Sequence, residues 1–215
     1  MDKRQSSHSC ASCGAMSCRT ADAGKYPDFC PTAGLDQDLL AETLRIYKED
    51  EEPGRIARVA AEVEGLFYGR YCRVEETVEF IKRMGYKKIG IATCVGLIYE
   101  TRILGKILRK QGIASFSIGC KTGAVDKTEV GIPPELKINK GCGHESLCNP
   151  IMQAKFLEKK KTDFNIVMGL CVGHDSLFLR HSAAPTTVLV VKDRVLGHNP
   201  VIALYQAGTT YSRFK

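Results

Sequence analysis

Apolar positions along this 215-residue chain follow two different periods. In the first part they recur every three or four residues. Leu35, Leu39, Leu40, Leu44 and Tyr47 line one side of a helix expected over 35–50. Glu51-Glu52-Pro53-Gly54 is expected to break it. Further helices are expected over 56–68 and 74–84; Val74, Val78, Ile81 and Met84 share a face of the second, and Gly85 stands at its C-terminal cap. Beyond residue 85 the pattern changes to short, unbroken apolar runs at 88–94, 114–120, 165–171 and 187–191. Helical stretches over 97–111 and 149–161 separate the first three, and a last helix is expected from Asn199-Pro200. Asn149 suits an N-cap and Pro150 the first helical position. Strand and helix alternating in this way predict an α/β fold. The expected organisation is a Rossmann-like three-layer parallel-sheet domain over 85–215, a helical segment over 35–84 packed on it, and a small cysteine-rich metal-binding segment over 1–34. Residues 121–148 are too long for a routine connection, which points to a functional or unstructured loop.

The cysteines give this frame its chemistry. There are ten. Cys94, Cys120 and Cys171 each end an apolar run and stand next to glycines, so they are expected at the carboxyl ends of successive strands, where open α/β sheets bind ligands. Neighbouring strands lie roughly 4.8 Å apart, a spacing that suits thiolates sharing a metal cluster. Cys148, directly before the Asn149 cap, stands at a helix N-terminus, where thiol pKa values fall, and would complete the set. One buried cysteine is most often a small apolar group. Three at corresponding strand ends favour metal. His198-Asn199-Pro200 echoes Cys148-Asn149-Pro150, which makes His198 a candidate ligand or proton donor near the same crevice. His174 and Asp175 form a second candidate proton-carrying pair, or else a plain helix cap. Cys72 reads as structural, and Cys142 has no firm role.

Near the N-terminus the spacing is Cys10-x2-Cys13-x4-Cys18-x11-Cys30-Pro31. Cys10-x2-Cys13-Gly14 looks like a zinc knuckle, whereas Cys30-Pro31 resembles a ferredoxin ligand followed by proline. The second close pair of a zinc ribbon is missing, which favours a [4Fe–4S] cluster over zinc.

Composition narrows the class. Apolar residues at 44% and charged residues at 26% are ordinary for a globular protein. Neither an apolar run of membrane-spanning length nor a secretory signal occurs in the sequence, so a cytoplasmic protein without membrane partners is expected. In that reducing setting cysteines bind metal or do redox chemistry more often than they form disulfides. The net charge of +7 is scattered and interleaved with acidic runs such as Glu49-Asp50-Glu51-Glu52. That argues against nucleic acid as a partner while favouring small anions.

Three longer stretches carry a resemblance. They are residues 169–178 (Gly-Leu-Cys-Val-Gly-His-Asp-Ser-Leu-Phe), residues 147–151 (Leu-Cys-Asn-Pro-Ile) and residues 191–200 (Val-Lys-Asp-Arg-Val-Leu-Gly-His-Asn-Pro). Together they resemble an uncharacterised "predicted metal-binding protein" family of anaerobic bacteria and archaea. The resemblance implies metal binding and supplies neither substrate nor reaction.

The expectation is an iron–sulfur protein with two sites, Cys10, Cys13, Cys18 and Cys30 at one and Cys94, Cys120, Cys148 and Cys171 at the other. It would act as a redox or sulfur-transfer enzyme on a small molecule, with His174, Asp175 or His198 moving protons. The alternatives are a non-catalytic zinc-binding, electron-carrier or redox-sensing protein serving a redox partner, and direct thiol chemistry at Cys148 or Cys171. No residue pattern sets an oligomeric state.

Overall fold

The computed structural model describes residues 9–214 of the chain. Two compact units divide it, Met1–Ala61 and Glu62–Lys215. The first carries three single-turn 3-10 helices (Cys10–Ser12, Ser17–Arg19 and Ala23–Lys25), then α1 (Gln37–Glu49) and most of α2 (Glu51–Phe67). Asp36 caps α1 by accepting hydrogen bonds from the N–H groups of Asp38 and Leu39. The expected break over 51–54 is only a corner. Pro53 falls in the first turn of α2, where a missing N–H costs nothing, so the new helix starts at Glu51 rather than near residue 56. Gly54 makes the corner possible, because a Cβ there would lie 2.3 Å from the Tyr47 carbonyl oxygen.

The second unit contains the α/β pattern that the periodicity predicts over 85–215 and begins earlier, so that it includes α3. After α3 (Arg73–Met84) come β1 (Lys88–Thr93), α4 (Ile98–Lys110), β2 (Ala114–Gly119), α5 (Pro150–Lys159), β3 (Phe164–Met168), α6 (His174–His181), β4 (Thr186–Val190) and the short α7 (Val201–Tyr205). Gly85 ends α3 in the left-handed conformation at φ 69°, as its position predicts. Cys72 stands at the N-cap of α3, where its N–H donates to the Glu75 carboxylate at 2.8 Å. The four strands form one all-parallel sheet in the order β2-β1-β3-β4.

Alternate side chains build the two outer layers. Ile89 and Ile91 of β1 pack with Ile166 of β3, Ile81 of α3 and Leu108 of α4 on one face. Ala92 and Cys94 pack with Val167, Leu157 of α5 and Phe178 of α6 on the other. Each such fully buried aliphatic side chain contributes about 1.5–3 kcal/mol. Gly90 lets α5 approach the sheet closely, since a Cβ there would meet Asn165 Oδ1 at 2.1 Å and Leu157 Cδ1 at 2.8 Å.

Because β1 is central and the chain crosses from β2 to β3 on its other side, the order reverses between β1 and β3. The crevice at such a switch point, beyond the carboxyl ends of the strands, is the usual ligand position in open parallel sheets. Among the described residues no helix is long and apolar enough to cross a membrane.

Candidate functional site

Ladder hydrogen bonds carry the sheet geometry past the strand ends and fix the thiols. Cys94, next after β1, donates its N–H to the Met168 carbonyl of β3 at 3.1 Å. Cys120, next after β2, donates to the Thr93 carbonyl at 2.9 Å. Asn149 N–H in turn donates to the Cys120 carbonyl at 2.7 Å, which brings Cys148 to the same place. Behind them Gln153 of α5 is fully buried, and its Nε2 donates to the carbonyls of Thr93 at 3.1 Å and Ile118 at 2.8 Å. Thr93 and Thr101 hydroxyls meet at 2.7 Å and bond to the carbonyls of Cys94 and Leu97, which holds the turn after β1.

The result is a chain of three sulfurs. Cys120 is buried and hydrogen-bonded to both Cys94 and Cys148. Those contacts, with burial, push the Cys120 thiol well above the ordinary range, so it keeps its proton. Its flanking partners go the other way. The hydrogen bond from Cys120 lowers Cys94 to about 5 against the opposing effect of burial, helped by the Gly96 N–H and by the charges of Lys192 and Arg194. A separate contact with Cys120 lowers Cys148 to about 5, again against burial, with Lys121 and His174 adding positive charge.

Cys171 stands beyond Met168, the last residue of β3, on the other side of the switch point. Arg194 Nη2 donates to its sulfur at 3.0 Å. That bond raises the Arg194 pKa, and Cys94 and Cys148 raise it further through their charge, so one guanidinium addresses three of the four thiols. None of the ten cysteines, all of them among the described residues, is in a disulfide. Among the described residues no three His, Cys, Asp or Glu side chains stand as a ready-made ligand set. What stands at the strand ends is a hydrogen-bonded thiol–thiolate cluster in a cationic setting.

A pocket of about 580 Å³ opens beside this cluster, lined by Cys148, Cys171, His174, Lys121 and Arg194 on one side. Its apolar wall comes largely from the connection between β2 and α5, with Val125, Val130, Ile132, Leu136, Ile138 and Leu147. That long connection is ordered. Asp126 accepts from Thr128 N–H at 2.9 Å, Thr128 Oγ1 at 2.7 Å, Glu145 N–H at 2.7 Å and the buried Lys137 Nζ at 3.0 Å. These donors, led by Thr128, hold the Asp126 carboxyl well below the usual carboxylate range. Lys127 and Glu145 form an ion pair alongside.

The histidine and aspartate candidates separate. His174 opens α6 and lines the thiol pocket. Asp175 accepts from the Ser176 N–H at 2.8 Å and does not line the pocket, so its place is that of an acidic residue in a first helical turn. His198 is not brought to the thiols. It lines a different pocket, with Arg73, Leu97 and Glu100. The echo with Cys148 is one of sequence alone. Asn149 caps α5 through a bond from Met152 N–H at 3.0 Å, whereas at α7 the cap is Pro200, with no side-chain bond. His198 is left-handed, and its Nδ1 accepts from Asp193 N–H at 3.1 Å, which turns the ring into the 193–198 turn.

In the N-terminal unit Cys10 and Cys18 are exposed, while Cys13 and Cys30 are half-buried. Cys13 Sγ accepts from Met16 N–H at 3.5 Å. Cys30 is lowered by hydrogen bonds from the Ala33 and Thr32 N–H groups. Lys192, Arg194, Lys121 and Gln153 were not legible as site residues by type. The only signals are the position of Lys121 next to Cys120 and the alternation of Lys192 and Arg194 just after β4.

A family profile described as "Protein of unknown function (DUF1847)" matches residues 30–189, well over half of the chain. The chain belongs to this family. The DUF1847 match spans all four strand-end cysteines and begins at Cys30, beyond Cys10, Cys13 and Cys18. Within the same similarity, "Uncharacterized protein MJ0455" of Methanocaldococcus jannaschii is 47% identical over 169 residues, covering 79% of this chain and 84% of the relative.

Proposed function

We propose that Cys94, Cys120, Cys148 and Cys171 form a thiolate metal site, with an iron–sulfur cluster as the group that fits best and zinc as the alternative. On this reading the protein is a redox or sulfur-transfer enzyme acting on a small molecule. The observation that carries it is the position of Cys120 at the end of β2, hydrogen-bonded to Cys94 and Cys148 beside the switch point, with Arg194 joining Cys171 to the same field. The donor set fits: soft sulfur ligands, two of them lowered toward the thiolate form, surrounded by cations that offset the charge of a thiolate-ligated group. When bound, such a cluster supplies one-electron chemistry or, where one iron lacks a protein ligand, a Lewis acid.

The chain's own residues do the rest. Lys121 and Arg194 attract and orient an anion in the pocket. The apolar loop wall excludes water. His174, on the pocket wall, is the group in position to carry a proton at an imidazole nitrogen. Asp175 and His198 take no part on this reading. Cys10, Cys13, Cys18 and Cys30 form a second metal site, an electron relay if it holds [4Fe–4S] and a structural site if it holds zinc. The backbone N–H donation to Cys30 supports thiolate character there.

The test is anaerobic purification with iron, labile sulfide and zinc quantified beside a visible spectrum. We expect metal in the native protein, loss of the strand-end share in Cys120→Ser, and retention of that share in Cys13→Ser. A protein that stays metal-free after reconstitution with iron and sulfide, and with zinc, would overturn the reading. One observation favours a second reading: adjacent sulfurs of opposite protonation are poised for dithiol–disulfide exchange. That reading predicts a reversible Cys94–Cys120 or Cys120–Cys148 disulfide with no metal bound.

A further inference from the structure

We propose that the pocket beside the strand-end thiols takes a small molecule built from an apolar body and one carboxylate. The inference names the ligand class of the site above and so rests on that site being where chemistry occurs.

Its first support is the loop wall. Val130, Leu136 and Ile138 are 59%, 68% and 82% exposed, yet all three line the pocket. The loop bearing them is pinned by the Asp126 network and by the antiparallel bridge between Asp126 and Ser146. Large apolar side chains held out of the core by an ordered backbone leave apolar surface in water that a ligand can cover. A volume of about 580 Å³ is that of a small-molecule site.

The second support is charge. Among the described residues no acidic side chain lines the pocket. Of its three lining Lys and Arg residues, Lys127 is neutralised by Glu145, which leaves Lys121 and Arg194 without a carboxylate partner among the described residues. Lys121 Nζ spends one donor on the Ser146 carbonyl, and Arg194 spends Nη2 on Cys171. The remaining guanidinium N–H groups suit the planar fork of a carboxylate. Apolar on one side and cationic on the other, the pocket selects for a molecule with the complementary halves.

The test uses the full-length protein in two forms, reduced and metal-free, and metal-loaded. Each is titrated calorimetrically with octanoate, 1-octanol, octylamine and acetate. Octanoate is expected to bind at least one form, with octanol roughly tenfold or more weaker and acetate and octylamine silent. Arg194→Gln should weaken octanoate by a similar factor and leave octanol unchanged. Ile138→Asp, at a position too exposed to endanger folding, should weaken both octanoate and octanol. Equal affinity for octanoate and octanol, indifference to both substitutions, or no octanoate binding by either form at millimolar concentration overturns the proposal. Metal content measured on the same samples keeps the two ideas apart. Octanoate binding without metal removes the metal reading alone, and metal without selective octanoate binding removes this one alone.

Discussion

The two cysteine groups of this chain are held by different physics. At the strand ends, Cys94, Cys120 and Cys148 are fixed by sheet ladder bonds, by the buried Gln153 amide and by the core beneath them. Near the N-terminus, Cys10, Cys13 and Cys18 lie on or beside single-turn 3-10 helices in which Ser17 is the one buried residue. The first arrangement is imposed by the fold whether or not a metal arrives. Among the described residues the second has local turns and no hydrophobic core, so a metal would supply most of its stability.

The largest expected effect tests that contrast directly. Chelation, or Cys13→Ser, should raise proteolytic cleavage within residues 9–34 by about a hundredfold, since in small metal modules binding energy is folding energy. In Cys13→Ser the unfolding free energy of the α/β unit should barely change, by no more than about 0.5 kcal/mol. Cleavage of residues 9–34 that is indifferent to chelation would erase the distinction.

Next in size is Gln153→Leu, which removes both amide hydrogen bonds to the Thr93 and Ile118 carbonyls beneath the thiols. A loss of about 2–3 kcal/mol is expected in denaturant unfolding. A smaller cost would mean that the strand ends are held without it.

A third experiment follows ionisation. Cys148 is lowered to about 5 and lines the pocket, and the thiolate is the reactive form. In the metal-free protein its alkylation should therefore rise about tenfold between about pH 4 and pH 7 and then level off, read by peptide mass spectrometry. A midpoint near the ordinary thiol range would show that contact with Cys120 does not ionise it.

The smallest effect concerns the loop. Asp126 has a folded-state pKa below its ordinary value, so the stability it contributes is complete above the ordinary carboxylate range and fades as pH falls below about 4. Amide exchange at Thr128 and Glu145 should accelerate in that acid window and, in Asp126→Asn, already at neutral pH.

Much of the fold was legible because local signals and the core agreed. The strand rhythm, Gly85, the Asn149-Pro150 cap and the thiols that follow β1 and β2 are all local patterns confirmed in place. What escaped was long-range. Cys148 is expected beside Cys120 from its helix N-terminus, but that Lys192 and Arg194, beyond β4, reach the same thiols is something periodicity does not encode. His198 failed because identical Asn-Pro dipeptides meet different surroundings: one caps a ten-residue helix on the sheet, the other follows a left-handed turn. Gln153 carried no signal, since an amide on a helix face is usually solvated.

The hydrogen bond from Asn149 N–H to the Cys120 carbonyl closes a gate between the two ends of the long connection. Everything between them leaves and rejoins the domain at nearly one point. Residues 122–147 of this insert form a cassette: their number and side chains can be exchanged while the four strand-end sulfur atoms stay in place. Relatives sharing the thiols could therefore differ in what they bind by changing this one stretch, and grafting it between them should carry ligand preference along with it.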